Sequence, residues 1–235
     1  MITSYNGKNF CGFQRQKNGE TIQQKLEDAI KLITKEDVVC VASGRTDAGV
    51  SAYMQPVHFE TEKEIDEQKF LRSINGILPD EIKVLSITKS TIHARFSAKK
   101  KTYLYKMYQS KIPLPLYQDA LQISTNLDLK SMKKFAKLLV GKHDFKGFQS
   151  SGSPTETTVR TIYKVQIIKQ GFYLYFLITG NGFLYKMVRN IVGTMLKIGE
   201  KKIDLDEIKQ NLFSSFKSSS TAKPEYLYLK NVEYK

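Results

Sequence analysis

Along this chain the spacing of apolar positions shifts between helical and alternating periods, and the shifts mark out its elements. From Glu20 to Ile33, the residues Ile22, Leu26, Ala29, Ile30 and Ile33 recur at helical spacing and predict an amphipathic helix. Thr21 with Gln24 predicts a capping box at its start. The short apolar run Val38 to Ala42 ends at Gly44 and reads as a buried strand. Asp66 to Asn75 predicts a second helix, closed by Gly76. Ile82 to Thr88 and Lys101 to Tyr108 alternate, the latter strongly, with Tyr103, Tyr105 and Met107 on one side. Pro113 and Pro115 then break the pattern, which sets a boundary between an N-terminal half, residues 1–110, and a C-terminal half, residues 111–235.

The second half begins with a helix over Leu129 to Val140, ended by Gly141. Thr158 to Lys169 and Phe172 to Thr179 are strands joined across Gln170-Gly171, a hairpin signal. Phe183 to Ile198 predicts an apolar helix, and Leu227 to Val232 a last strand. Strands that pair locally with helices returning between them predict an α+β fold. Each half then carries mainly antiparallel sheet flanked by helices, and a central cleft between the halves is the expected ligand site.

Composition adds a partner class. Hydrophobic residues make up 41% and charged residues 26%, an ordinary globular balance. Thirty-seven Lys and Arg against 23 Asp and Glu give a net +14. Self-repulsion on that scale opposes compaction, and a polyanion is the common reason to carry it. Cys11 and Cys40 are 29 positions apart, with no Cys-x-x-Cys pair and no nearby histidine, so neither a zinc site nor a disulfide framework is expected. His58, His93 and His143 are scattered and read as surface or core-edge residues. No apolar run reaches the ~18 residues a membrane span needs. With no signal-peptide pattern at the start, the expectation is a cytoplasmic protein.

The stretch that carries candidate chemistry is Ser43-Gly44-Arg45-Thr46-Asp47-Ala48-Gly49-Val50. It follows a short strand and contains two glycines, so the backbone turns sharply and presents Arg45 and Asp47 from a tight loop. Taken alone, the same residues also fit a strand-to-helix turn in which Asp47 caps backbone N–H groups. No Gly-Lys-Ser/Thr follows, so it is not a phosphate-cradling P-loop.

Ordered blocks over nearly the whole chain resemble the TruA family of tRNA pseudouridine synthases. Tyr5-Asn6-Gly7 with Phe10-Cys11-Gly12-Phe13-Gln14-Arg15-Gln16 resembles that family's opening block, and Thr21-Ile22-Gln23 its first helix. Gly44 to Val50 matches the family's active-site Gly-Arg-Thr-Asp-Ala-Gly-Val residue for residue. Val57-His58-Phe59, Asn75 with Leu78-Pro79, and His93-Ala94-Arg95-Phe96-Ser97-Ala98 are similar to the next blocks. Lys101-Thr102-Tyr103-Leu104-Tyr105 resembles the strand of the active-site tyrosine, followed by His143-Asp144-Phe145 and the Phe183 to Gly193 block. Asn6, Phe13 and Ser51 stand where the family usually has Asp, Trp and, in many members, His. None of these replaces a residue assigned to chemistry, so the departures bear on substrate preference and N-terminal stability more than on the reaction class.

The resemblance implies a pseudouridine synthase fold and an isomerase acting on uridines 38, 39 and 40 in the anticodon stem-loop of tRNA, as a homodimer. The glycosidic N1–C1′ bond breaks, the uracil turns, and the link re-forms through C5. Nothing is oxidised and no water is consumed, so neither a metal nor a redox cofactor is called for. Asp47 resembles the family's nucleophile, attacking either the uracil ring or C1′. Arg189 resembles its guanidinium partner, which favours the ionised carboxylate and orients it. Tyr103 is placed to stack on the uracil, with a hydroxyl able to help remove the C5 proton. The target base has to leave its stack, and Arg45 is placed to fill the vacated space or hold the flipped nucleotide's phosphate. Lys99, Lys100 and Lys101 form a basic run for backbone phosphates. The alternative, a non-catalytic basic RNA-binding protein, accounts for charge and aromatic content but gives Asp47 no task.

Overall fold

The computed structural model describes residues 1–152 and 155–234. The chain opens with strand β1 (Ile2–Tyr5), helix α1 (Ile22–Thr34), strands β2 (Val41–Ala42) and β3 (Ser51–His58), helix α2 (Glu67–Ile77) and strand β4 (Ile82–Ser86). Strands β5 (Lys100–Gln109) and β6 (Leu121–Ile123) and helix α3 (Leu129–Leu138) follow. Next come strands β7 (Gly141–Asp144), β8 (Val159–Gln170) and β9 (Tyr173–Gly180), helices α4 (Met187–Gly199) and α5 (Leu205–Lys209), and strand β10 (Leu227–Glu233). They make two compact units, Met1–Lys99 with the chain from Tyr228 onward, and Lys100–Leu227. The division falls at Lys99, ahead of the Pro113–Pro115 break, because β5 pairs along most of its length with β9, from Lys101 opposite Gly180 to Tyr108 opposite Tyr173.

In the first unit the strand order is β4-β1-β3-β10, with β2 also on β3. These pairs are antiparallel except β10 with β3, which is parallel, Tyr228 opposite Ser51 and Leu229 opposite Ala52. Helix α1 forms where the helical period predicts and buries Ile22, Leu26, Ala29 and Ile30. Thr21 caps it, its side chain accepting from the Gln24 N–H. Helix α2 packs against α1 and β4. Asn75 fixes it to β4 by pairing with both backbone groups of Val84, each at 2.8 Å. The helix runs past Gly76 to Ile77 and ends at Leu78, whose extended backbone (ψ 144°) is what the following Pro79 requires. Only Val41 and Ala42 of the expected Val38 to Ala42 run are strand.

The second unit's sheet runs β5-β9-β8-β7, all antiparallel, with β6 parallel beside β5. The β8–β9 hairpin turns at Gly171, whose φ of +57° suits a turn. Helix α3 packs on α4 and β8, over a core with Phe135, Phe145, Phe148, Phe176, Met187, Ile191 and Met195 fully buried. The apolar helix expected from Phe183 starts at Met187, because Lys186 has left-handed backbone (φ +57°), which a right-handed helix excludes. Both units are thus α+β with mainly antiparallel sheet. Among the described residues, no helix is long and apolar enough to cross a membrane.

Candidate active site

The loop of residues 43–50 leaves β2 and returns as β3, two strands paired antiparallel with Val41 opposite His58 and Ala42 opposite Val57. Its backbone is held from one side by a buried polar cluster. Gln55 on β3, fully buried, accepts from the Ser43 hydroxyl at 2.6 Å and donates to the Gly44 carbonyl at 2.7 Å. Tyr5 on β1 meets the Thr46 hydroxyl at 2.8 Å and is within 3.4 Å of the Gln55 amide. Burial pushes the Tyr5 hydroxyl up to about 12, so it stays a neutral hydrogen-bonding group.

From the other side the segment of residues 10–13 closes on the same loop. The Phe13 N–H donates to the Thr46 carbonyl at 3.1 Å, and the Gly49 N–H donates to the Phe10 carbonyl at 3.2 Å. A Val50 N–H bond to the Asp47 carbonyl at 3.1 Å completes a turn in which Gly49 has φ +81°. Gly12 has φ +90°, and a Cβ there would lie 2.8 Å from the Thr46 carbonyl oxygen and 3.1 Å from the Ala48 nitrogen. Only glycine lets the two backbones approach so closely. On this fixed loop Arg45 is exposed and Asp47 is half-buried. The Arg45 Nε donates to Gln14 Oε1 at 3.1 Å.

The second unit carries the other two residues expected to take part in chemistry. Tyr103 lies on β5 opposite Ile178 of β9 and is 8% exposed. Phe183 meets its ring edge to face at 5.2 Å and 89°, which fixes the ring's plane. Arg189 is half-buried in the first turn of α4 and donates through Nε to the Ala222 carbonyl at 2.8 Å. The Ala222 N–H donates back to the Arg189 carbonyl at 3.0 Å. That loop is itself tied to the helix, since Thr221 donates to the Asn190 side chain at 2.6 Å and Asn190 donates to the Phe148 carbonyl at 2.8 Å. At Gly193 a Cβ would meet the Ser220 carbonyl oxygen at 2.5 Å, so the loop's approach requires glycine. Burial raises the hydroxyl of neighbouring Tyr105 above its usual range, with the Arg189 cation acting against the rise.

The basic run is divided. Lys99 is exposed and ends the first unit, its N–H bonded to the Glu233 carbonyl at 2.8 Å. Lys100 and Lys101 open β5, where successive residues face opposite sides, and the Lys100 ammonium lies 5.7 Å from the Tyr163 ring. The histidines serve local structure: His58 Nδ1 accepts from the Ala94 N–H, His93 Nδ1 from the Arg95 and Phe96 N–H groups, and His143 stacks on Phe213 at 4.0 Å.

Arg45 and Asp47 are legible in the sequence, and what holds them is not. Tyr5 and Gly12 lie in the opening motif block, which was the available signal. Gln55 had none, because a buried amide on a strand follows no period.

The family model for tRNA pseudouridine synthases matches residues 1–97 and 135–235. A protein of Thermoanaerobacter named tRNA pseudouridine synthase A is 40% identical, over 100% of this chain and 98% of its own length. Proteins of the same name from Acetivibrio thermocellus and Pseudothermotoga lettingae are 41% and 39% identical, each covered over 98% of its length. A crystal structure of a Cbf5–Nop10–Gar1 complex aligns with 98% of this chain and 57% of its own, at 12% identity and a TM-score of 0.39. The full-length matches to relatives near 40% identity, together with the family model, show that the chain belongs to the tRNA pseudouridine synthase family.

Proposed function

We propose that the chain isomerises uridine to pseudouridine at positions 38, 39 and 40 of the tRNA anticodon stem-loop, with Asp47 as the nucleophile. The observation that carries this reading is the loop of residues 43–50. Its two hydroxyls and several of its backbone groups are bonded to the buried polar cluster and to residues 10–13, and its one carboxylate is half-exposed. A capping role alone gives no reason to fix a loop so completely around an aspartate. Asp47 adds to the uracil ring or to C1′ and the N1–C1′ bond breaks; C5 then joins C1′, the bond to Asp47 breaks to return the carboxylate, and the C5 proton leaves for solvent. N1 takes up a proton, so the reaction balances without oxidant or water.

Arg189 supplies the cation that favours the ionised carboxylate. Tyr103 stacks on the uracil, and its hydroxyl helps take the C5 proton. Arg45 holds the flipped nucleotide or fills the space it leaves. Lys99, Lys100 and Lys101 contact phosphates, Lys99 from one unit and the other two from the second. The active species is a cytoplasmic homodimer, since one 235-residue chain is small beside a tRNA.

The test is tritium release from tRNA labelled at uracil C5. The parent releases label and Asp47→Asn, folded and binding tRNA, releases none. Substantial release by Asp47→Asn, with deamidation excluded by mass spectrometry, ends the nucleophile assignment. A parent that binds tRNA and releases nothing is a binding protein.

A further inference from the structure

The Arg45 side chain is exposed, and a long exposed guanidinium ordinarily wanders among rotamers. Here it is the last member of a chain of side chains that begins in the interior of the first unit. Glu27 on α1 is 8% exposed. Its carboxylate accepts three bonds: from the Gln23 amide at 2.8 Å, from the Cys40 N–H at 2.9 Å, and from Arg15 at 2.6 Å.

A carboxylate only accepts, so Gln23 turns its NH2 toward Glu27 and its oxygen away. That oxygen accepts from the Arg15 N–H at 2.9 Å and from the Gln14 NH2 at 2.8 Å. The Gln14 NH2 is thereby used, and its oxygen is what remains to face Arg45, accepting from Nε at 3.1 Å. An amide's two ends are alike in shape, and its orientation is set by its neighbours. In this chain every orientation follows from the buried carboxylate. Reversing either amide would set two oxygens or two NH2 groups against each other.

We propose that Glu27, Gln23 and Gln14 form a directional relay that positions the Arg45 guanidinium, holding Nε and keeping both Nη groups for the flipped nucleotide. Gln14 is the positioning residue at its exposed end, and Gln23, 5% exposed, is the link through which Glu27 acts. Glu27 and Gln23 lie one turn apart on α1, so the relay ties the helix to the loop that carries Asp47. This inference rests on the assignment of Arg45 to the flipped nucleotide under the proposed function.

The test uses the full chain with Gln14→Met, which keeps side-chain length and removes both hydrogen-bonding groups at an exposed position. Tritium-release kinetics are expected to show kcat lower by about tenfold, the loss typical when an orienting partner is removed. The tRNA dissociation constant and melting temperature stay near the parent's. Arg45→Ala lowers kcat, and adding Gln14→Met to it lowers kcat no further, because two residues acting as one unit are not additive. Gln14→Glu, which still offers Nε an acceptor, recovers part of the loss. Unchanged kcat in Gln14→Met, or losses that multiply in the double variant, overturn the relay.

A second measurement needs no turnover. The order parameter of the Arg45 Nε–H from 15N relaxation falls in Gln14→Met and in Gln23→Leu; an unmoved order parameter overturns the relay on its own. A parent that releases no tritium, with the Arg45 Nε–H ordered as described, sinks the functional reading and leaves the positioning intact.

Discussion

Gly12→Ala tests whether the position of the 43–50 loop sets the rate. The glycine has φ +90°, and the added Cβ meets only backbone: Thr46 O at 2.8 Å, Ala48 N at 3.1 Å and the Asp47 carbonyl carbon at 3.2 Å. No side chain can swing aside to relieve it. An L-residue forced into left-handed backbone costs about 1–2 kcal/mol. Overpacking against groups that cannot rotate away adds about 1–3 kcal/mol. The sum, roughly 2–5 kcal/mol, is a large part of a typical domain's stability and corresponds to a melting point lower by roughly 4–20 °C. Relief also requires the loop to retreat by about half an ångström to reach ordinary carbon–oxygen contact. Misplacement on that scale is expected to lower turnover at least about tenfold, since about 1 Å commonly costs a hundredfold.

The control is Gly171→Ala in the β8–β9 turn. That glycine also has positive φ, +57°, but an added Cβ finds nothing within 4 Å. It carries the backbone strain without the clash, so the difference between the two variants isolates the pressure on the loop. Calorimetry and tritium release are measured on both. If Gly12→Ala melts no lower than Gly171→Ala and turns over like the parent, the loop is not confined as described, and its confinement is not what serves Asp47.

Three further outcomes are expected. Tyr103→Phe keeps the ring held by Phe183 and removes the hydroxyl, so tRNA affinity stays and kcat falls; equal kcat would restrict Tyr103 to stacking. Tyr5→Phe leaves the buried Thr46 hydroxyl without that partner and costs about 1–3 kcal/mol near pH 8. Because Tyr5 ionises near 10 when unfolded and near 12 when folded, the parent's extra stability is present below pH 10 and lost as pH rises to about 12, so urea melts should show the gap narrowing by about 2–3 kcal/mol. tRNA affinity should fall steeply with salt, with a log–log slope of several units by filter binding; a flat slope would remove the phosphate contacts.

Much of the fold was legible because it repeats. Helix α1, its Thr21 cap and the β8–β9 hairpin follow from local period and turn chemistry. Strand β3 was not legible. Its buried positions do not alternate, it contains Pro56, and it is a strand because β1, β2 and β10 pair with it from distant parts of the chain. The start of α4 was misplaced for the opposite reason. Phe183 and Leu184 continue the apolar pattern, while the left-handed Lys186 that delays the helix start to Met187 carries no compositional mark. At the site, Arg45 and Asp47 stood out as a charged pair on a glycine-bounded loop. The groups that hold them pair across 41 residues for Tyr5 with Thr46 and 12 for Ser43 with Gln55, separations no local pattern encodes.

The division of labour in the first unit follows from which groups do the holding. Around the 43–50 loop they include neutral hydroxyls, amides and backbone: Tyr5, Ser43, Thr46 and Gln55 within, and Phe10 and Phe13 backbone beside them. Neutral hydrogen bonds in a buried setting are little affected by ionic strength, whereas the attraction of exposed lysines for phosphate is screened beyond a Debye length, about 8–10 Å at 0.1–0.15 M salt. Had these braces been exposed ion pairs, salt would have loosened the support of the Asp47 loop together with any phosphate contacts. With neutral bracing the two are separable. Salt then acts mainly on how often tRNA is bound and little on these neutral bonds, so an enzyme with a net charge of +14 can hold its polyanionic substrate loosely while this bracing of the loop stays in place.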